Sequence, residues 1–125
     1  MAKKFKIAQS ATFKQEVDVP RIGGESVKIK FEYKYLTRKE LAKIYDKWRE
    51  AAESLNVDQD MSYEELVDLE VGLQVEQLKD ILVGWEFEDE FNEDAIRELV
   101  ESSTHASQEI INKYHEAYAQ VKLGN

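Results

Sequence analysis

The residues in this chain that invite a chemical reading are two histidines, a crowd of carboxylates and one glycine pair, and none stands at a spacing that chemistry requires. His105 and His115 are ten residues apart, which on a helix directs them about 80° from each other. With His115 on the polar face of a C-terminal helix, both read as solvated side chains rather than as metal ligands or a general base. Asp58-Gln59-Asp60 opens like a calcium-binding loop. That motif then fails, because Tyr63 stands where the turn needs glycine and Leu69 where it needs the bidentate acid. Six carboxylates, Glu86, Glu88, Asp89, Glu90, Glu93 and Asp94, crowd around Trp85, Phe87 and Phe91. Lacking an ordered ligand spacing, they read as a solvated acidic face. Gly23-Gly24 is a turn signal and no phosphate loop, and the absence of cysteine removes thiolate nucleophiles, disulfides and Cys-ligated metals. No catalytic, cofactor-binding or metal-binding residue emerges, so the expectation is a protein that is not an enzyme and takes no cofactor.

The elements that position these residues follow from hydrophobic period. From Val27 to Tyr35 apolar and charged residues alternate for nine positions, which predicts a strand with one buried face. Phe13, Val17 and Val19 share one parity against polar Lys14, Glu16 and Asp18, and Pro20 with Gly23-Gly24 separates the two runs, predicting an antiparallel hairpin with a long loop. Phe5 and Ile7 read either as a third short strand or as part of a frayed basic terminus. At Thr37 the period changes. Thr37-Arg38-Lys39-Glu40 is a capping box, and Leu41, Ile44, Tyr45, Trp48, Ala52 and Leu55 then form one stripe. Ser62-Tyr63-Glu64-Glu65 opens a longer helix to about Val83, whose ten apolar residues, Leu66, Leu69 and Leu73 among them, spread over an arc of about 240°. An arc that wide puts the helix at the centre of the fold or in an interface. Gly72 interrupts it, marking a kink or a close contact.

The stretch from Val83 to Val100 reads as a structural corner. Gly84 is placed to take the positive φ that closes the long helix, and Asn92 is placed to cap the next one, at 93–102, with Ile96, Leu99 and Val100 inward. A last helix over about 104–122 carries Ala106, Ile110, Ile111, Tyr114, Ala117, Tyr118 and Val121 on one face. Trp48 reads as core; Trp85, Phe87 and Phe91 are either core or a binding patch. The expected fold is α+β, an antiparallel hairpin packed on about four helices. It forms one domain over 1–125, mainly β in 1–36 and mainly α in 37–122.

Charge is unevenly spread. Residues 1–50 hold 13 Lys and Arg against 7 Asp and Glu, net +6, whereas residues 51–125 hold 4 against 19, net −15. An acidic balance argues against nucleic acid as a partner. No apolar run approaches the ~20 residues needed to span a bilayer, and the basic start leads into polar residues, so a cytosolic protein away from membranes is expected. The asymmetry also suits head-to-tail self-association, with the basic part of one copy against the acidic corner of the next. A carboxylate-rich protein of this size has a second reading, as a DNA mimic acting on a host nuclease or regulator.

The order of features is specific beyond its parts. A Thr12-Phe13 strand leads to a Val-x-Val-Pro turn with Gly23-Gly24, then Phe31-Glu32-Tyr33-Lys34-Tyr35-Leu36-Thr37-Arg38-Lys39-Glu40-Leu41, then Val83-Gly84-Trp85-Glu86 with Asp89-Glu90-Phe91 and Ala95-Ile96. From about residue 10 to 120 this resembles the tail assembly chaperones of long-tailed bacteriophages. The resemblance implies a non-enzymatic protein of the bacterial host cytoplasm, outside the mature virion. Its implied partner is the long helical tape measure protein, kept soluble until the tail tube forms around it. A frameshifted longer form that engages the tail tube protein is a further implication. Such a client needs apolar grooves rimmed by charge, which nominates Leu66, Leu69 and Leu73, the corner aromatics Trp85, Phe87 and Phe91, and Tyr114 and Tyr118 as partner-binding residues.

Overall fold

A computed structural model describes residues 4–119. Strand β1 (Thr12–Pro20) and strand β2 (Ser26–Lys34) form the expected hairpin, antiparallel and in register from Thr12 opposite Lys34 to Pro20 opposite Ser26. The loop between them turns at Gly23 and Gly24, with φ of 90° and 85°, a region that only glycine enters at little cost. Alternation sorts the two faces. Phe13, Val17, Val19, Phe31 and Tyr33 point to the core, while the outer face is a ladder of opposite charges: Lys14 stands across from Glu32, Glu16 from Lys30 and Asp18 from Lys28.

The third strand is not where the N-terminus suggested. Phe5 and Ile7 lie in irregular, exposed chain, and the sheet is completed instead by β3 (Leu82–Trp85), antiparallel to β2 with an irregularity between Glu32 and Tyr33. Gly84 therefore does not close a helix. It takes no positive φ; it lies in β3 opposite Glu32, and the preceding helix stops at Ile81, where Leu82 turns extended at φ −103°, ψ 148°. A four-residue strand abutting a nineteen-residue helix leaves no alternation to detect, because Ile81 and Leu82 satisfy both periods.

Helix α1 (Arg38–Glu53) begins at the complete Thr37/Glu40 capping box, in which the backbone and hydroxyl of Thr37 hold the Glu40 carboxylate below its ordinary pKa. Helix α2 (Tyr63–Ile81) is capped by Ser62, helix α3 (Glu93–Ser102) by Asn92, whose Oδ1 accepts from the Ala95 amide at 2.8 Å. Helix α4 (Ala106–Ala119) ends the described chain, so the position given to Val121 lies outside the described residues. The observed α+β architecture is a three-stranded sheet, ordered β1-β2-β3, whose inner face is covered by helices.

What joins sheet to helices is a reciprocal pair of tyrosines. Tyr33 of β2 donates to the Ile110 carbonyl of α4 at 2.8 Å, and Tyr114 of α4 donates to the Lys34 carbonyl of β2 at 3.0 Å. Their rings stack at 5.1 Å with Phe13 against both. Burial pushes both phenols well above the ordinary tyrosine pKa, so they remain donors across the physiological range. Tyr33→Phe and Tyr114→Phe should each lower unfolding free energy by about 1 kcal/mol, the net value of a buried hydrogen bond, with the ring stack retained. Chemical denaturation of the two variants checks this; a loss well above ~1.5 kcal/mol would mean that the hydroxyl also orders its neighbours.

Candidate partner-binding groove

The broad apolar arc of α2 resolves into two stripes. Val71, Val75, Leu78 and Ile81 are buried in the core. Leu69 and Leu73 emerge roughly 160° around the helix from them, and Leu66 continues their stripe by one turn. These three leucines are half-buried yet stand outside both the core and the side chains packed on it. Leu69 and Leu73 line an open groove between α1 and α2, about 390 Å³ in volume, whose opposite wall is Trp48, Ala51 and Leu55. Tyr63 and Val67, 88% and 54% exposed, lie away from this stripe, and Val67 borders a separate hollow with Val71 and Val100.

Gly72 has a role here that differs from a kink or a close contact. Helix α2 runs unbroken through it, and a Cβ added there would meet nothing within 4 Å. Its missing side chain deepens the groove floor. At the far end Asp80 fastens the two helices. Its carboxylate, only 17% exposed, accepts from Lys47 Nζ at 2.8 and 3.0 Å and from Trp48 Nε1 at 2.8 Å. Trp48 packs on the core, as its stripe indicated. Asp80 carried no sequence signal, since an acid within an apolar run gives no hint that an indole from another helix will reach it. Asp68, Glu76 and Asp80 against Lys47 give the groove an acidic rim.

The other nominated residues are placed differently. Trp85 stands edge-on to Phe31, Phe87 and Phe91 at centroid distances of 6.3, 5.2 and 5.0 Å, and its Nε1 donates to the Asp89 carbonyl at 2.8 Å. All three corner aromatics are half-buried and pack on the core, which is the inward of their two readings. Tyr114 is fully buried; Tyr118 is half-buried, accepts from the Leu36 amide at 2.7 Å and borders a second hollow beside Phe13. So the eight residues divide: the leucines line or flank an open groove, and the aromatics hold the fold.

His115 is less solvated than its helical position suggested. Its Nδ1 lies 2.9 Å from the Tyr45 hydroxyl of α1, and burial lowers its pKa. The contact joins α1 to α4, two helices whose proximity no local pattern announces. Among the described residues no group of three His, Asp or Glu could hold a metal ion, and no helix is long and apolar enough to cross a membrane.

A family model for phage tail assembly chaperones matches residues 1–125. The chain belongs to that family. Such chaperones are non-enzymatic in general, and their partners are phage tail proteins. Neither the curated proteins nor the solved structures contain a significant match.

Trp85→Ala should cost about 3 kcal/mol of stability, as aromatic truncation against a core does, measured by denaturant unfolding. An unchanged midpoint with partner binding lost would convert the corner into a docking patch. Because the folded state disfavours protonated His115, the unfolded chain takes up the proton first; this contribution is present in full above about pH 6.5 and is lost as pH falls below it. Between pH 7.5 and 5.5 the melting temperature of the native chain should therefore fall more than that of His115→Gln, which keeps a neutral hydrogen-bonding group beside Tyr45.

Proposed function

We propose that the α1–α2 groove receives an apolar helix of the phage tape measure protein and so keeps that protein soluble until the tail tube polymerises around it. One observation carries the reading: Leu66, Leu69 and Leu73 are large apolar side chains that the fold leaves outside its core, on a helix whose opposite face roots Val71, Val75, Leu78 and Ile81 in that core. Helices that dock in grooves present anchors at i, i+3 or i+4 and i+7. The walls formed by Leu69 and Leu73 on one side and Trp48 and Leu55 on the other suit such anchors, and the acidic rim favours a client helix flanked by Lys or Arg. Binding of this kind needs no catalytic group.

This function places the protein in the cytoplasm of the bacterial host, where tails assemble, and outside the mature virion. A frameshifted longer form reaching the tail tube protein belongs to the same proposal. Head-to-tail self-association has less to draw on than the charge count promised, since Lys14 pairs with Glu86 at 3.7 Å and Lys47 with Asp80, joining the basic and acidic halves within one copy. The DNA-mimic reading remains the second one, and the net +6 of residues 1–50 has no use in it.

Co-expression with the cognate tape measure protein should raise that protein's soluble fraction, and the double variant Leu69→Glu/Leu73→Glu should abolish the effect while keeping native circular dichroism. Equal solubility with and without this chain would refute the reading. Full activity of a folded double variant would move the binding surface elsewhere.

A further inference from the structure

The outer edge of β1 is a nine-residue strand with no strand against it among the described residues. Long free edges recruit other strands unless something blocks them. Its bonding parity is fixed by two flanking contacts, Tyr35 N to Ala11 O at 2.8 Å and Arg21 N to Glu25 O at 2.7 Å. Odd-numbered residues of β1 therefore bond to β2, and Thr12, Lys14, Glu16 and Asp18 direct their N–H and C=O groups outward. The side chains of these same four residues lie on the charged outer face.

The geometry points to a second copy of this chain as the occupant, its β1 pairing antiparallel with β1 about a two-fold axis at Gln15. The parity of the free backbone groups allows only symmetric registers that set even residues opposite even ones; those centred at Phe13 or before it overlap by no more than three residues of β1, and charge separates the rest. A register centred on Lys14 opposes Lys14 to itself, one centred on Glu16 opposes Glu16 to itself, and one centred on Val17 sets Glu16 against Asp18. Centred on Gln15, the pairing sets Lys14 of each copy against Glu16 of the other and Thr12 against Asp18, with no like-charge pair. It prolongs the alternation already present within the chain, Lys14 to Glu32 and Glu16 to Lys30, across the boundary into one continuous sheet. On the inner face Val17 of the second copy would sit beside Phe13, where a hollow of about 470 Å³ bordered by Phe13, Gln15, Ala117 and Tyr118 opens next to the strand. Pro20, which has no N–H, falls beyond the bonded stretch. This contact is isologous and so closes at two copies, unlike a head-to-tail array.

Sedimentation equilibrium of the full chain at about 100 μM and low salt tests it, and the expected species is a dimer. K14E sets two acids against each other at each 14–16 pair and E16K sets two bases there, so each variant alone should dissociate about tenfold or more readily than the native chain. An equimolar mixture of the two regains complementary pairs at every position and should form a heterodimer of native affinity. That recovery separates an edge contact from mere damage to the sheet. A native chain that is monomeric at this concentration overturns the proposal, as do variants that dimerise undiminished or a mixture that associates no better than its components.

Discussion

The fold closes through two hydroxyl groups. Tyr33 and Tyr114 each donate to a backbone carbonyl on the other's element, so the second strand and the last helix are bonded to each other across 77 residues of sequence by Tyr33 and across 80 by Tyr114. A hairpin alone is marginal in water, because one of its faces has nothing to cover it. Helix α4 supplies that cover. Phe13, Tyr33 and Tyr114 stack as one unit, and Tyr118 caps the assembly by accepting from Leu36, next to the start of α1. The last helix therefore covers Phe13 and Tyr33 on the inner face of the sheet and, through Tyr118, holds the backbone at Leu36 that leads into α1.

That dependence explains what the sequence revealed and what it withheld. The hairpin was legible because alternation from Val27 to Lys34 is a local pattern read by one buried face. The starts of α1, α2 and α3 were legible because caps are contacts three residues apart. Strand β3 was not, since what makes Leu82–Trp85 a strand is the β2 edge, a partner distant in the chain. The same blindness affected His115, whose setting is given by Tyr45 of another helix, and Asp80, whose worth depends on Trp48. For the groove, periodicity gave the width of the apolar arc of α2 but could not divide it, because angle alone does not say which side meets α3 and α4. The corner at 83–100 kept its aromatics and its Asn92 cap, but its glycine serves the sheet rather than the helix end.

Helices α1 and α2 are unequal walls of the groove. Val71, Val75, Leu78 and Ile81 root α2 in the core, whereas α1 buries Leu41 alone. The remaining hold on α1 comes from Trp48, half-buried against the core with its Nε1 on Asp80, from Lys47 on Asp80 and from Tyr45 on His115. Segments with few buried apolar contacts open at lower free energy than the body of a domain. The Asp80 fastening lies toward one end of the groove, and the other end, near Ser54, Leu55 and Asp68, has no such bond among the described residues.

A cleft with one wall rooted in the core and one pinned toward the Asp80 end should open most readily at its other end. Under the function proposed above, widening there would keep the Asp80 contact and admit client helices of different girth, alanine-rich or leucine-rich. Fit would then discriminate weakly between segments of the client, leaving the acidic rim to discriminate by charge. A holder built this way would release one segment and take up the next without being rebuilt for each.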